Sequence, residues 1–352
     1  MRAVSRVLST PLPSRKAMSS DPLRVVAIGG GTGLSALLLG LKKYAKPRRG
    51  PLDITAVVTV TDDGGSSGRL RREFDVLPPG DIRNCMVALS EDEALLSRLF
   101  QHRFQTGMGL KGHSFGNLFL TALTQLMGDF PEAVKVSSEV LKITGRIYPA
   151  TAANVALEAT LEDGTRVIGE TRISKSRKPI RSVRLRPRKV KPMADTLAAI
   201  AQADMITLGP GSLFTSVIPN LLVEGISAAI RRSPALKAYI VNLMWQPGET
   251  MNFSASDHIR AIHKHAGGKL IDCAIVNRAP IQMAARKRYE RQQALPVEND
   301  LERIFKMGVT VVTGELLQES KKVRHDPERT AAVAVRLAHA GRRRRLAAGG
   351  RK

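Results

Sequence analysis

The chain is poor in cysteine. Cys85 and Cys273 are its only two in 352 residues, and each lies within an apolar stretch. That excludes a disulfide framework and reads as two small buried thiols, so a reducing, cytoplasmic setting is expected. Aromatic residues amount to only 4%, which leaves few platforms on which the bases of a single strand could stack. Long apolar runs are missing as well: none approaches the roughly 18 consecutive residues a spanning helix needs, so no membrane span is expected.

Acidic residues are wholly absent from three stretches, 1–20, 172–191 and 340–352, which carry four, ten and six lysines and arginines. Most of the formal net charge of +24 therefore sits at the two ends and in one internal segment. The remainder is mildly basic, which argues against the patterned basic face that specific nucleic-acid binding requires.

What is present is an ordinary globular mixture, 43% hydrophobic and 24% charged, enough to bury a substantial core. It points to a single α/β domain over residues 23–335. Residues 1–22 read as an extension, either disordered or lying ahead of a true start at Met18 rather than Met1, and residues 336–352 as a basic disordered tail.

Residues 23–28 form a short Val/Ile-rich run that stops at glycines, the pattern of a buried strand. Residues 34–44 then show helical spacing, ended by the Lys46-Pro47-Arg48-Arg49-Gly50 breaker, and residues 54–60 give a second β-branched strand. This is the opening of a doubly wound, mostly parallel sheet with helices on both faces. A helical segment spans 81–145, with helices at 81–89, 93–104, 115–127 and 131–141. Residues 155–161 and 166–172 alternate around Glu162-Asp163-Gly164, which predicts a small antiparallel β-hairpin insertion, extended by basic residues to about 154–191. The βα rhythm resumes with a helix at 193–201, strands at 205–208, 237–242 and 273–277, and helices at 221–231 and 256–265.

The chemistry gathers where strands end. Gly29-Gly30-Gly31-Thr32-Gly33 joins the first strand to a helix, and glycines there let backbone N–H groups face an anion at the positive helix end. Leu34 replaces the last glycine of the dinucleotide pattern, and no P-loop lysine follows. After the second strand, Asp62 and Asp63 lead into Gly64-Gly65-Ser66-Ser67-Gly68-Arg69. The carboxylates offer a site for a hydrated Mg²⁺ or for a ribose, while Ser66, Ser67 and Arg69 offer phosphate donors; a solvated turn explains the same residues. Asp81 occupies a natural N-cap position beside Arg83 and Asn84. Gly209-Pro210-Gly211-Ser212 repeats the glycine solution after a later strand. Two anion cradles on one sheet edge imply a ligand with more than one phosphate or with two polar ends, of which a diphosphate is the economical choice. Asn242 and Gln246 follow the next strand and offer paired donors and acceptors to a base edge. His258, His263 and His265 lack the i, i+4 spacing of a metal pair.

The ordered set IGGGTGLSALL, TVTDDGGSSGRLR, LPPGDIRNCMVAL, GHSFGNLFLTALT, GRIYPAT, ITLGPGSLFTSVIPNLLV, NLMWQPGET, ASDHI and VRHDP resembles the YvcK branch of the CofD-like, or gluconeogenesis factor, family. The resemblance implies a Rossmann-like core and a UDP-sugar ligand, UDP-N-acetylglucosamine in particular. It also implies a regulatory role in growth on gluconeogenic carbon sources, cell shape and envelope synthesis. Carried over by position, the two glycine loops hold phosphates, Asn242 faces the base, and Tyr289 and Arg324 contact the UDP-sugar. The partners implied are that ligand, envelope-synthesis proteins and a second copy in a homo-oligomer. The alternative it offers is a Mg-dependent transferase moving a phospholactyl-type group from a nucleotide diphosphate compound to a deazaflavin, with Asp62 and Asp63 as catalytic candidates. Some YvcK proteins carry a regulatory threonine three residues beyond the arginine matching Arg324; Pro327 stands there in this chain.

Overall fold

The computed structural model describes residues 21–45, 52–91, 94–319 and 322–349. Of the expected extension only Asp21 and Pro22 fall among them; the question of Met1 or Met18 and the breaker at residues 46–50 lie outside the described residues.

Strand β1 (Leu23–Gly29) turns into α1 (Gly31–Lys42) and returns as β2 (Leu52–Val58), paired in parallel from Leu23 against Leu52 to Gly29 against Val58. Both strands are covered on both faces, which is why they read as unbroken apolar runs rather than alternating ones. Helices α2 (Gly65–Phe74), α3 (Gly80–Leu89), α4 (Ala94–Gln101), α5 (Phe115–Met127) and α6 (Phe130–Val140) follow. Then β3 (Arg146–Pro149) joins the sheet beside β2, a strand that the sequence reading did not contain.

A separate antiparallel sheet comes next: β4 (Ala156–Leu161), β5 (Arg166–Ile168), the short helix α7 (Glu170–Lys175) and β6 (Ile180–Arg186), in the order β5-β4-β6. The expected hairpin is therefore only part of this sheet. Its second strand stops at Ile168, because Gly169 turns to φ 99° and starts α7. The basic stretch supplies a third strand, with Arg184 and Arg186 flanking the buried Glu158.

The sheet resumes through α8 (Ala194–Gln202) and β7 (Met205–Leu208). In place of one helix over 221–231, a π-helical turn over Leu213–Val217 runs into α9 (Ile218–Leu221), and Gly225 at φ 82° separates that from α10 (Ile226–Arg232). β8 (Leu236–Ile240), α11 (Ala255–His265), β9 (Cys273–Asn277), α12 (Met283–Glu290), α13 (Leu301–Lys306) and β10 (Thr310–Gly314) complete the core. A hairpin, β11 (Leu317–Glu319) and β12 (Val323–His325), leads to the last helix, α14 (Pro327–Gly349).

All seven strands of the main sheet are parallel, in the order β10-β9-β8-β7-β1-β2-β3. The winding reverses between β1 and β7, so the connections leaving their carboxyl ends diverge and open a crevice, where ligands of such sheets bind.

The tail is not disordered over its described part. Helix α14 continues to Gly349, and Arg342 and Arg345 reach the buried carboxylate of Asp204 at 2.7 and 2.8 Å. A methyl group on Gly341 would stand 1.9 Å from the Asp204 carbonyl oxygen, so only glycine lets the helix lie this close. Charges that look solvated in sequence are paired with a distant partner. Among the described residues, no single helix is long and apolar enough to cross a membrane.

Candidate functional site

The two glycine loops leave adjacent strands and touch. A methyl on Gly33 would stand 2.3 Å from the Pro210 carbonyl oxygen, and one on Gly211 3.4 Å from the Gly30 carbonyl oxygen. Asn220, fully buried on α9, donates to the Gly29 carbonyl at 3.2 Å and to the Ser216 carbonyl at 2.8 Å, tying the two connections together. Nothing in the sequence marks this asparagine. Gly30 gives α1 no side-chain cap, so the helix start is presented by backbone alone, the arrangement suited to an anion.

Around these loops lies a cleft of about 280 Å³ that gathers Gly30, Gly31, Thr32, Gly33, Pro210, Gly211 and Ser212 with Asn242, Gln246, Tyr289 and Arg324. Gly29 and Gly209 sit just behind, at the strand ends. Gln246 donates to the Ser212 hydroxyl at 2.7 Å and accepts from the Asn242 amide at 3.1 Å, forming a short polar wall. The Tyr289 hydroxyl accepts the Val323 N–H at 3.0 Å, which holds β12, and so Arg324, against the cleft. His325 donates to the Val241 carbonyl at 3.1 Å; burial lowers its pKa to about 4, so it is neutral.

The remaining predicted residues lie across the Gly30 loop, outside this cleft. Gly65 to Arg69 form the first turns of α2 rather than a flexible loop. Ser66 is buried, bonded to His113 Nδ1 at 3.0 Å and to Asn117 at 3.1 Å, and Ser67 is buried beside Gly80. Arg69 donates to the Lys111 carbonyl at 2.8 Å. Arg83 is buried and donates to Asn84 at 2.6 Å. Asp81 is not an N-cap: α3 begins one residue earlier without a side-chain cap. Instead its carboxylate packs on Gly30, where a methyl would stand 2.7 Å from Oδ2, and accepts the Gly31 N–H. Burial, then Asp62, raise the Asp81 pKa to about 6.

Sequence reasoning also missed two carboxylates here. Glu170 is raised well above the usual range by burial, then by Asp62 and Asp81. Glu249 is raised to about 6 by burial despite hydrogen bonds from Thr215 at 3.0 Å and the Phe214 N–H at 3.3 Å.

The expected Mg²⁺ pair is not assembled as a chelate. Asp62 Oδ1 accepts the Gly64 N–H at 2.9 Å, whereas Asp63 Oδ1 is taken by the N–H and hydroxyl of Thr171 at 2.8 and 2.7 Å. Among the described residues, no group of three or more His, Cys, Asp or Glu is arranged to hold a metal ion. His258, His263 and His265 serve structure: His258 bonds the Ser254 carbonyl, and the other two accept the N–H groups of Ile271 and Val183.

Residues 25–317 match the family described as 2-phospho-L-lactate transferase CofD. A gluconeogenesis factor from Halalkalibacterium halodurans is 47% identical over 312 residues, covering 88% of this chain and 95% of its own. One from Bacillus subtilis is 46% identical over 315 residues, covering 89% and 98%. A crystal structure of a Bacillus halodurans protein superposes with a TM-score of 0.86 at 46% identity, over 90% of this chain and 100% of that one.

Proposed function

We propose, since this chain belongs to the CofD family, that it is a cytoplasmic regulatory protein binding a nucleotide sugar of the UDP-N-acetylglucosamine type. In this reading it serves growth on gluconeogenic carbon sources, cell shape and envelope synthesis, as the name of its relatives suggests for the first of these. The observation that carries it is the contact of the two glycine loops, Gly33 against Pro210, on one cleft that also holds Arg324. Two backbone-lined anion cradles that abut suit a pyrophosphate. A guanidinium fork beside them suits the same group, and Trp245 and Tyr289 on the wall offer faces for a base.

A thermal-shift series with UDP-N-acetylglucosamine, UDP-glucose, GDP and NAD tests this, because a ligand that prefers the folded state raises the melting temperature with its concentration. The reading expects the uridine compounds to shift the melt most; a larger shift with GDP or NAD would replace it.

A second reading, a transferase of the kind the family is named for, is favoured by the carboxylates of Asp81, Asp62 and Glu170 behind Gly30. The side chains of Asp62 and Asp63 are engaged by Gly64 and Thr171 and do not form a metal set. Release of nucleoside monophosphate from a diphosphate donor in the presence of a deazaflavin acceptor would establish this second reading.

A further inference from the structure

The anion cradle at the start of α1 is backed by negative charge. Asp81 packs against the rear of the Gly30 loop, where a methyl on Gly30 would stand 2.7 Å from its Oδ2, and its carboxylate accepts the Gly31 N–H. Asp62 adds to this field: after burial, its charge is what raises the Asp81 pKa. The same field reaches Glu170, held well above its usual range by burial, then by Asp62 and Asp81. Arg83, the cation on this side, turns to Asn84 at 2.6 Å. The other groups that meet Gly30, Thr59 and Ser216, are neutral.

The carboxylate also limits the donors the cradle can offer. A helix start presents the N–H groups of its first residues, which have no partner within the helix. In α1 the Leu34 N–H already closes on the Gly30 carbonyl at 3.4 Å, so the donors are those of Gly31, Thr32 and Gly33, and Asp81 takes the first. Thr32 and Gly33 remain, both on the cleft wall. Two N–H groups suit a phosphate of single charge, and the carboxylate behind them opposes a second.

We infer that Asp81 is a specificity-determining residue of the cleft: its charge behind Gly30 and Gly31 favours a diphosphate esterified at both ends over a free nucleoside diphosphate. This rests on the nucleotide-sugar reading above, whose ligand is esterified in that way. A pyrophosphate joined to carbon at both ends carries one negative charge on each phosphorus. A free nucleoside diphosphate ends in a phosphate whose second ionisation falls near about pH 6, so it bears a further charge at pH 7.5. With its own pKa about 6, Asp81 is ionised there too. Like unit charges roughly 10 Å apart, at an effective dielectric of about 20, alter affinity by about tenfold. Repulsion of this kind separates two ligands that make the same attractive contacts.

UDP and its methyl ester at the terminal phosphate differ by one charge and one methyl group, and so isolate that charge from any contact to a sugar. Calorimetric titration of the full chain with each at pH 7.5, without divalent cations and beside UDP-N-acetylglucosamine, provides the test. The ester should bind about tenfold more tightly than UDP. In Asp81→Asn, which keeps the shape and an acceptor for Gly31, that ratio should fall to near one, chiefly through tighter binding of UDP. Should this variant fail to fold, Asp62→Asn removes the neighbouring charge and should lower the ratio in the same sense, by about threefold. An ester that binds no more tightly than UDP, or a ratio that survives removal of these charges, would overturn the inference, while binding of UDP-N-acetylglucosamine keeps the nucleotide-sugar reading intact. Absence of binding by all three compounds overturns both.

Discussion

The guanidinium of Arg342 lies 2.7 Å from the carboxylate of Asp204, a group with no exposed surface. Arg345 and the Arg24 N–H complete the site at 2.8 and 2.9 Å. Burial alone would raise the Asp204 pKa; the bonds from Arg342, Arg24 and Arg345 outweigh it and hold the group below its ordinary range. Removing the carboxylate leaves two guanidinium groups without their partner. Asp204→Ala should therefore destabilise the fold by roughly 3–5 kcal/mol, read as a lower urea midpoint at neutral pH. A change under 1 kcal/mol would show that the cluster is ornamental.

Asp81 carries a prediction about pH. Its folded pKa, about 6, lies above the ordinary aspartate range. A carboxyl raised on folding leaves stability whole below the unfolded value and erodes it as pH rises through the folded one. Glu249, also near 6, acts in the same sense. Asp81→Asn should therefore change stability little at pH 4 and raise it at pH 7.5 by on the order of 2 kcal/mol. Parallel stability curves for the two proteins between those values would refute the assignment.

Gly33 faces the backbone of the opposite loop. An alanine there would bring a methyl group to 2.3 Å from the Pro210 carbonyl oxygen and force the two loops apart. Gly33→Ala should cost about 1–3 kcal/mol of stability as an overpacking change, and it should abolish the thermal shift with UDP-N-acetylglucosamine. Full retention of that shift would mean that the loops do not act together.

Arg324 is exposed on the cleft wall. Arg324→Ala should remove the nucleotide-sugar shift while altering unliganded stability by no more than about 0.5 kcal/mol, as surface changes do. A variant that melts normally and still responds to the ligand would take Arg324 out of the site.

The parts legible in sequence are those fixed by backbone geometry. Gly29 to Gly33 and Gly209 to Ser212 mark themselves by their glycines, of which Gly31, Gly209 and Gly211 take φ values of 63°, 76° and 159° that other residues rarely adopt, and the structure places the two loops in contact. Side chains whose partners are remote were harder to read. Ser66 and Ser67 look like phosphate donors beside their glycines, yet tertiary packing turns Ser66 toward His113 and Asn117. Glu170 and Glu249 give no local signal, since what perturbs them is burial, joined at Glu170 by carboxylates from other segments. The run from Arg342 to Arg345 has the composition of a solvated tail, and only the partners Asp204 and Asp272, far earlier in the chain, give it structure.

Helix α14 packs on α1 and over the main sheet's three central strands β1, β7 and β8. Every strand of that sheet is translated before it. During synthesis, then, an apolar face at the middle of the molecule stays bare until the final helix leaves the ribosome, and Arg342 can grip the carbonyls of Asp21 and Pro22 only at that late moment.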